Sequence, residues 1–433
     1  MTPVMVGLIG IAILLCLFFT AMPVAYVMGL VGFLGFAYVV NPSAALSLVA
    51  RDVYSVFSSY GLTVIPLFIL MGQIAFNAGI SRRLYDCAFK WLGGMRGGLA
   101  MATVAACTAF GTVCGSSPAT AATMAVVGLP EMRRYNYGAA LSSGAVAAGG
   151  SLGMLMPPSV LMIVYGILTE QSIGQLFVAC ILPAIYMTAW FVLAIWVYCR
   201  RYPEQGPAGE RSTWKQKLVA LTELWETLLI FGLVMAGMFT GVFTPTEAGG
   251  VGAFLILFVA LATRKIGWSG VVKSLYETVR TSCMVLFLIA GAIIFGHFLA
   301  VTRIPFETAS WVGGLDLPRW GSMTMIIAIY LVGGCFIDAM ALIMLTIPIF
   351  YPIVETLGYD PIWFGVIIVL VGQMGVITPP VGINVYVVNG VARDIPLQTI
   401  FRGVMPFLIA LILGTLSLIA IPQLVTFLPR LMY

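Results

Sequence analysis

The chain has 433 residues, of which 61% are hydrophobic and only 9% are charged. Soluble domains carry roughly 25% charged residues, so this composition excludes a water-soluble protein. The net charge of +5 is scattered along the chain rather than gathered in a stripe, which excludes nucleic-acid binding. Since one membrane span takes about 20 apolar residues, we expect an all-α polytopic membrane protein with about ten transmembrane helices.

Apolar runs follow one another along the whole chain, and most are long enough to cross a bilayer. Four runs are short or interrupted by glycine, and they form two consecutive pairs. We interpret these pairs as two re-entrant helical hairpins, at about 97–130 and 321–354. Non-helical backbone at membrane depth is tolerated only where protein buries it or where it lines a cavity. The hairpin tips therefore predict a binding site.

Two segments, 44–58 and 268–280, are only partly apolar, and we interpret them as interfacial helices that lie along the bilayer. The hydrophilic stretch 201–217 contains Pro203, Gly206, Pro207 and Gly209, which indicate a loop. We expect it to link two halves of the protein.

The basic residues predict the orientation of the chain in the membrane. With the N-terminus outside, the segments on the inside carry 17 of the 21 Lys and Arg residues, and those on the outside carry 4. The positive-inside rule favours this arrangement over its inverse. It places both termini outside and the linker 201–217 in the cytoplasm of a multi-pass membrane protein.

The second half of the chain repeats the first. A shift of 222 residues superposes glycines and prolines, for example Pro23 on Pro245, Gly111 on Gly333, Gly153 on Gly375 and Pro157-Pro158 on Pro379-Pro380. Five crossings per half is an odd number, so the two repeats would have inverted topology. Inverted repeats with broken helices at equivalent positions are typical of secondary transporters, whose sites lie at the breaks.

The first hairpin tip, 115–120, contains Ser116, Ser117 and Thr120, whose hydroxyls could surround a hard cation such as Na⁺ together with freed carbonyls. The alternative is that the serines only cap the second half-helix. At the second tip, Asp338 occupies the position in the repeat that is equivalent to Ser116. It is the one carboxylate deep within an apolar run. Such a residue is a functional-site hypothesis, and it could also act as an N-cap.

Two Pro-Pro pairs predict that one crossing in each repeat unwinds near its middle. Proline removes a backbone donor and disfavours helix in the residue before it. Unwound carbonyls can coordinate a cation, and the N-terminal end of a half-helix can attract a carboxylate. The residues at these breaks are Gly153, Pro157, Pro158, Gly375, Thr378, Pro379 and Pro380.

Two other polar residues favour structural roles. Thr244-Pro245-Thr246-Glu247 reads as a capping box, and His297 favours a contact within the helix bundle over a proton relay. The sequence contains no H-E-x-x-H, G-x-S-x-G or phosphate-loop motif and a single histidine, so an enzyme is not expected.

Four strings in this order resemble the large membrane subunit of tripartite ATP-independent periplasmic (TRAP) transporters: 110–123, 153–159, 243–249 and 375–384. The resemblance implies an elevator fold like that of the ion-transporter superfamily, acting as a sodium-driven importer of small organic acid anions. It implies a multi-pass protein of the bacterial inner membrane, so that the outside termini would lie in the periplasm. It also implies two partners, a small four-helix membrane subunit, here expected to be a separate chain, and a periplasmic substrate-binding protein.

The resemblance also implies which single residues bind sodium and which bind the organic acid. Sodium would bind at Ser116, Ser117, Gly153, Pro157, Gly333, Asp338, Gly375, Thr378 and Pro379. The organic acid would bind at Thr120, Pro158, Pro380 and Asn384.

We expect two interleaved domains, a scaffold of residues 1–96 and 218–320 and a transport domain of residues 97–200 and 321–433. The main alternative is a stand-alone carboxylate carrier that works without a binding protein. A passive channel would need a continuous polar pore, and the scarcity of charge within the apolar runs argues against one.

Overall fold

A computed structural model describes residues 2–18, 20, 22–314 and 318–432, and these residues are helical with no β-strand. The helices of the first half and of the link are α1 Pro3–Phe18, α2 Val24–Val39, α3 Pro42–Ser58, α4 Val64–Asn77, α5 Ile80–Leu92, α6 Gly98–Cys114, α7 Ser117–Arg134, α8 Ala139–Ser151, α9 Val160–Leu168, α10 Ile173–Arg201 and α11 Trp214–Thr222. Those of the second half are α12 Trp225–Phe239, α13 Pro245–Ala262, α14 Trp268–Val301, α15 Ile304–Gly314, α16 Arg319–Gly334, α17 Ala339–Thr356, α18 Pro361–Gly375, α19 Ile383–Val391, α20 Leu397–Ala420 and α21 Gln423–Met432.

The order of the helices follows the predicted repeat. Helix α7 spans 117–134 and α17 spans 339–356, so both ends differ by 222 residues. The same shift relates α8 to α18, α9 to α19 and α10 to α20 to within a few residues. Each predicted hairpin is a pair of helices joined by a short turn, α6 with α7 and α16 with α17, and the members of each pair pack together.

The repeats differ at the predicted interfacial helices. In the first half, α3 and α4 are separate helices that meet at a bend of 57°. In the second half, the predicted interfacial helix 268–280 is continuous with the following span, as the single 34-residue helix α14. No glycine or proline occurs between residues 271 and 290, so nothing there interrupts the helix. At about 1.5 Å per residue, α14 is longer than the roughly 30 Å hydrocarbon core.

Five helices in the described part of the chain are long and apolar enough to cross a membrane, namely α10, α13, α14, α17 and α20. Two further pairs of consecutive segments meet at a bend, α3 with Gly61–Asn77 and α11 with α12. If each pair counts as one span, the number rises to seven. Four shorter apolar helices, α1, α2, α6 and α18, accompany them. These lengths are those of a multi-pass membrane protein, and the number of ten crossings stays a prediction.

Two boundaries differ from the sequence-based expectation. The linker 201–217 is not a loop throughout, because α11 begins at Trp214 with a capping box between Thr213 and Gln216. The apolar run at the C-terminal end is divided into α20 and α21. Ile421 leaves the helical conformation there because it precedes Pro422.

The helices pack as two groups. Helices α2, α3, α4, α13 and α14 contact one another and lie in the predicted scaffold. Helices α6 to α10 contact α17 to α20 and lie in the predicted transport domain. Helices α5 and α15 lie against the hairpins, α5 on α6 and α7 and α15 on α17, so each connects the two groups.

Glu247 and His297 have the structural roles that the sequence favours. Glu247 completes the predicted capping box, because its carboxylate accepts a hydrogen bond from the Thr244 amide while its own amide donates to the Thr244 hydroxyl. His297 makes a bundle contact, with Nδ1 lying 2.8 Å from the carboxylate of Asp52 on α3. Asp338 is not the only carboxylate in the described residues that the fold shields from solvent, since Asp52 and Glu226 are both buried.

The buried Glu226 at the start of α12 holds two cations from other elements. Its carboxylate accepts hydrogen bonds from the Arg83 guanidinium on α5, at 2.7 Å, and from the Lys265 ammonium in the α13–α14 connection. This cluster ties the connecting helix α5 to the scaffold.

We expect Glu226→Ala to lower the stability of the folded protein by about 1–3 kcal/mol, because it leaves two facing cations without their shared acceptor. The effect falls short of that of a fully buried pair because Arg83 and Lys265 are partly exposed. Thermal unfolding in detergent measures it. The control is Glu223→Ala, which removes a half-exposed carboxylate 3.9 Å from Lys90 and should cost under about 1 kcal/mol. Equal shifts in Tm for the two variants would contradict this assignment.

Candidate functional site

The first hairpin tip is a tight turn that requires glycine. Gly115 has φ of +61°, in the left-handed region, and a Cβ atom there would lie 2.6 Å from the carbonyl oxygen of Pro158. Any larger residue would therefore be strained and would also push the tip away from the first helix break. The backbone then extends through Ser116, and α7 begins with Pro118 in its first turn.

The hydroxyls of this tip have different partners. The Ser116 side chain makes no capping hydrogen bond to α7, while its carbonyl accepts bonds from both the amide and the hydroxyl of Thr120. The Ser117 hydroxyl donates to the side-chain oxygen of Asn384 at 2.9 Å. Neither serine caps α7 with its side chain, so the alternative of serines that only cap the helix does not hold here.

Asn384 connects the two repeats beneath the tip. Besides accepting from Ser117, its amide nitrogen donates to the carbonyl oxygen of Ala147 on α8 at 2.9 Å, and the side chain is fully buried. Its position on α19 thus joins the first hairpin to the broken helices of both halves. The predicted role of Asn384 in binding the organic acid stays a prediction.

The second hairpin tip carries a carboxylate. Asp338 is the N-cap of α17, and its Oδ2 atom accepts a hydrogen bond from the Met340 amide at 3.0 Å. The capping role is thus present. Asp338 is partly exposed, and it lines the same cavity as the first tip.

Both predicted breaks are present. Helix α8 ends at Ser151 and α9 begins at Val160, with cis Pro157-Pro158 between them, and α18 ends at Gly375 and α19 begins at Ile383, with cis Pro379-Pro380 between them. The two breaks have different surroundings. Pro157 and Pro158 are buried, whereas Pro379 and Pro380 are exposed. Thr378 lies in the second break, and its hydroxyl donates to the carbonyl oxygen of Met374 in the last turn of α18.

Each break packs against its hairpin through a pair of glycines. A Cβ atom on Gly111 would lie 2.8 Å from the Cα atom of Gly153, and one on Gly334 would lie 3.2 Å from the Cα atom of Gly375. These close approaches explain the predicted glycines at both breaks. Gly333 instead faces the side chain of Leu342 on α17.

A cavity of about 340 Å³ lies between the two tips and the scaffold. The first residues of α7 and α17 both line it, so the N-terminal ends of two helices meet there. Of the predicted site residues, Ser116, Ser117 and Asp338 lie in the lining, and the others lie behind the tips or at the breaks. The lining contains no Lys, Arg or His residue, so helix termini and oxygen atoms dominate its electrostatics.

Two polar lining residues were missed in the sequence. Gln73 on α4 and Thr281 on α14 complete the cavity from the scaffold side. Gln73 was visible as one of the two amide side chains within the apolar run 61–80, the other being Asn77. Thr281 carries no comparable signal, because threonines are frequent throughout the chain.

The tips can hold a cation and attract an anion. The Ser116 hydroxyl and the Asp338 carboxylate offer oxygen atoms of the kind that Na⁺ prefers, and the two helix N-termini favour negative charge. In the described part of the chain, no group of three or more His, Cys, Asp or Glu residues could hold a transition metal.

The fold is that of a membrane transport protein. The YdaH transporter of Alcanivorax borkumensis is similar over 88% of both chains, with a TM-score of 0.60 at 14% sequence identity. The family described as the DctM component of the tripartite ATP-independent periplasmic transporter matches residues 11–424. The chain belongs to this family of TRAP transporter large membrane subunits.

Two relatives show how fully the similarity covers the chain. The C4-dicarboxylate TRAP transporter large permease protein DctM of Pseudomonas aeruginosa is 36% identical over 90% of this chain and 91% of its own length. The sialic acid TRAP transporter large permease protein SiaM of Vibrio cholerae is 31% identical over 96% of both chains.

We expect Gly153→Ala to destabilise the protein by about 1–3 kcal/mol, because the added methyl group would lie 2.5 Å from the Thr120 hydroxyl and 3.1 Å from the Ser116 carbonyl oxygen. The matched control is Gly390→Ala in α19, where nothing lies within 4 Å of the new Cβ atom. Helix propensity alone makes that change neutral or slightly stabilising. Thermal unfolding compares the two, and a Gly153→Ala protein as stable as Gly390→Ala would refute the tight packing.

Proposed function

We propose that this protein is the permease subunit of a sodium-driven importer of small organic acid anions, and that it works by an elevator motion. The observation that carries the proposal is the meeting of both hairpin tips at one cavity against the scaffold. The tips bring two helix N-termini, the Ser116 hydroxyl and the Asp338 carboxylate to that cavity.

The chemistry of the cavity favours a small carboxylate as substrate. About 340 Å³ is at the lower end of the range for small-molecule pockets. With no basic side chain in the lining, a carboxylate would be held by the N-terminal ends of α7 and α17 and by co-transported Na⁺. The similarity to permeases named for C4-dicarboxylate and for sialic acid supports this class of substrate.

The boundary between the two predicted domains supports the elevator motion. Among the described residues other than Tyr38, no ion pair joins 1–96 or 218–320 to 97–200 or 321–433. The Thr324 hydroxyl does donate across the boundary to the Trp320 carbonyl oxygen, but both residues belong to the single helix α16. The contacts across the boundary include the apolar pair Phe68 and Phe177, whose ring centroids lie 6.1 Å apart. Apolar contacts can slide past one another without leaving polar groups unpaired.

The family implies two partners for this work. We propose a small membrane subunit and a periplasmic substrate-binding protein, which would deliver the organic acid to the cavity. The orientation with both termini in the periplasm, proposed from the basic residues, places the linker 201–217 and the base of the first hairpin in the cytoplasm.

We expect Ser116→Ala and Asp338→Asn each to raise the sodium concentration for half-maximal uptake at least severalfold, since each weakens an oxygen ligand of the proposed ion site. Asparagine keeps the capping acceptor of Asp338, so the fold should survive. Asp360→Asn is the control, because Asp360 also caps a helix, α18, and does not line the cavity. The assay is substrate uptake at varied Na⁺ in proteoliposomes containing the complete transporter. Wild-type sodium dependence in both cavity variants would rule out the tips as ion ligands.

We expect a disulfide across the domain boundary to stop transport and one within the transport domain to leave most of it intact. Gly72→Cys on α4 lies beside native Cys114 at the first tip, since a Cβ at Gly72 would lie 3.2 Å from the Cys114 Cα. It would also lie 2.8 Å from the Val113 carbonyl oxygen, so α4 must move by a few tenths of an ångström when the bond forms. Gly149→Cys faces native Cys107 within the transport domain, at 3.3 Å between Cβ atoms. Uptake is measured for each protein before and after oxidation and again after reduction. Undiminished uptake by fully cross-linked Gly72→Cys protein would exclude the elevator motion.

A further inference from the structure

An apolar groove of about 320 Å³ runs between α10 and α20 on the outer face of the transport domain. It is lined from α10 by Trp190, Val197 and Arg201 and from α20 by Pro406, Ile409 and Leu413, among others. The spacing of these residues places them on one face of each helix. The groove does not take part in the cavity at the hairpin tips.

The groove has a packed floor and a closed end. Phe191 and Phe407, both fully buried, form an edge-to-face pair behind it, with ring centroids 5.4 Å apart. Beyond Leu413 the two helices come together, because Gly414 lies directly against Met187. The groove is therefore a fixed feature of the helix pair.

The length of the groove matches one leaflet of a bilayer. From Trp190 to Arg201, α10 rises about 17 Å at 1.5 Å per residue. The hydrocarbon core is roughly 30 Å thick, so one leaflet contributes about 15 Å. A helix of this length and about 10 Å in diameter would fill over about 1,000 Å³, which is several times the volume of the groove. A single acyl chain suits the space better.

The open end of the groove is basic. Arg201 lines it, and Arg402 lies one turn before Pro406 on the same face of α20. Both arginines are exposed, and neither has a carboxylate of the described residues within 4 Å. Tyr198 and Tyr202 line the same end, where aromatic rings favour the membrane interface. Two cations that no described carboxylate neutralises, of which Arg201 lies over the Tyr202 ring, are complementary beside an apolar groove to an anionic headgroup with an acyl chain.

We propose that this groove binds an anionic phospholipid, with one acyl chain between α10 and α20 and the phosphate between Arg201 and Arg402. Basic pockets between transmembrane helices bind anionic headgroups in this way. With the orientation proposed above, the lipid belongs to the cytoplasmic leaflet. Because α10 and α20 both belong to the transport domain, the lipid would stay with that domain.

Native mass spectrometry of the full-length protein in detergent, titrated with phosphatidylglycerol or phosphatidylcholine, tests the proposal. We expect tighter binding of phosphatidylglycerol, and about fivefold weaker binding of it for Arg201→Gln and for Arg402→Gln. Lys273→Gln, which removes one exposed charge from α14 in the scaffold, is the matched control and should bind as the wild type does.

A second variant separates the chain from the headgroup. Ala194→Phe fills the groove and leaves both arginines in place, so it should also weaken binding. Thermal unfolding confirms that each variant is folded. Equal affinity for the two lipids, or wild-type binding by both arginine variants, would overturn the proposal. So would a membrane peptide, rather than phosphatidylglycerol, cross-linking to a photoreactive residue at Ile409.

Discussion

The structure depends on a constraint imposed by the bilayer, which offers no hydrogen bonds to an unwound backbone. Each broken helix must therefore be covered by protein or line a cavity. Here a hairpin packs against each break, and Pro157 and Pro158 at the first break are buried while Pro379 and Pro380 at the second are exposed. Contact at this distance is possible because Gly111 meets Gly153 and Gly334 meets Gly375, backbone against backbone. The tips, the breaks and the cavity are held in place by these contacts.

The repeats share backbone geometry and differ in side chains. Helices α7 and α17 correspond residue for residue, yet Ser117 bonds to Asn384 while its counterpart Ala339 has no hydroxyl. The first tip faces the cavity with Ser116, and the second faces it with Asp338. Duplication thus supplies two half-helix ends, and sequence divergence gives one of them a charge. The two tips are therefore not chemically equivalent.

The sequence could predict what depends on local pattern. Glycine and proline spacing predicted the 222-residue repeat, both hairpins and both breaks, since these residues act on their own backbone. Contacts between distant segments carried no such signal, so the buried cluster of Glu226 with Arg83 and Lys265 and the contribution of Gln73 to the cavity were missed. The continuous α14 was missed because interfacial character in 268–280 does not require a bend there.

The distribution of polar contacts explains how the chain can be stably folded and still consist of two predicted domains. Ion pairs lie inside each predicted domain, the buried Glu226 with Arg83 in the scaffold and the exposed, weaker Arg133 with Asp394 in the transport domain. The Arg133 guanidinium also holds the pKa of the Asp394 carboxyl, in an exposed loop, below its usual range. Helix α5 belongs to both sides, since Arg83 and contacts with α4 fix it to the scaffold while it also packs on α6 and α7. A helix fixed at one side and packed on a hairpin at the other is where relative motion of the two domains would be absorbed.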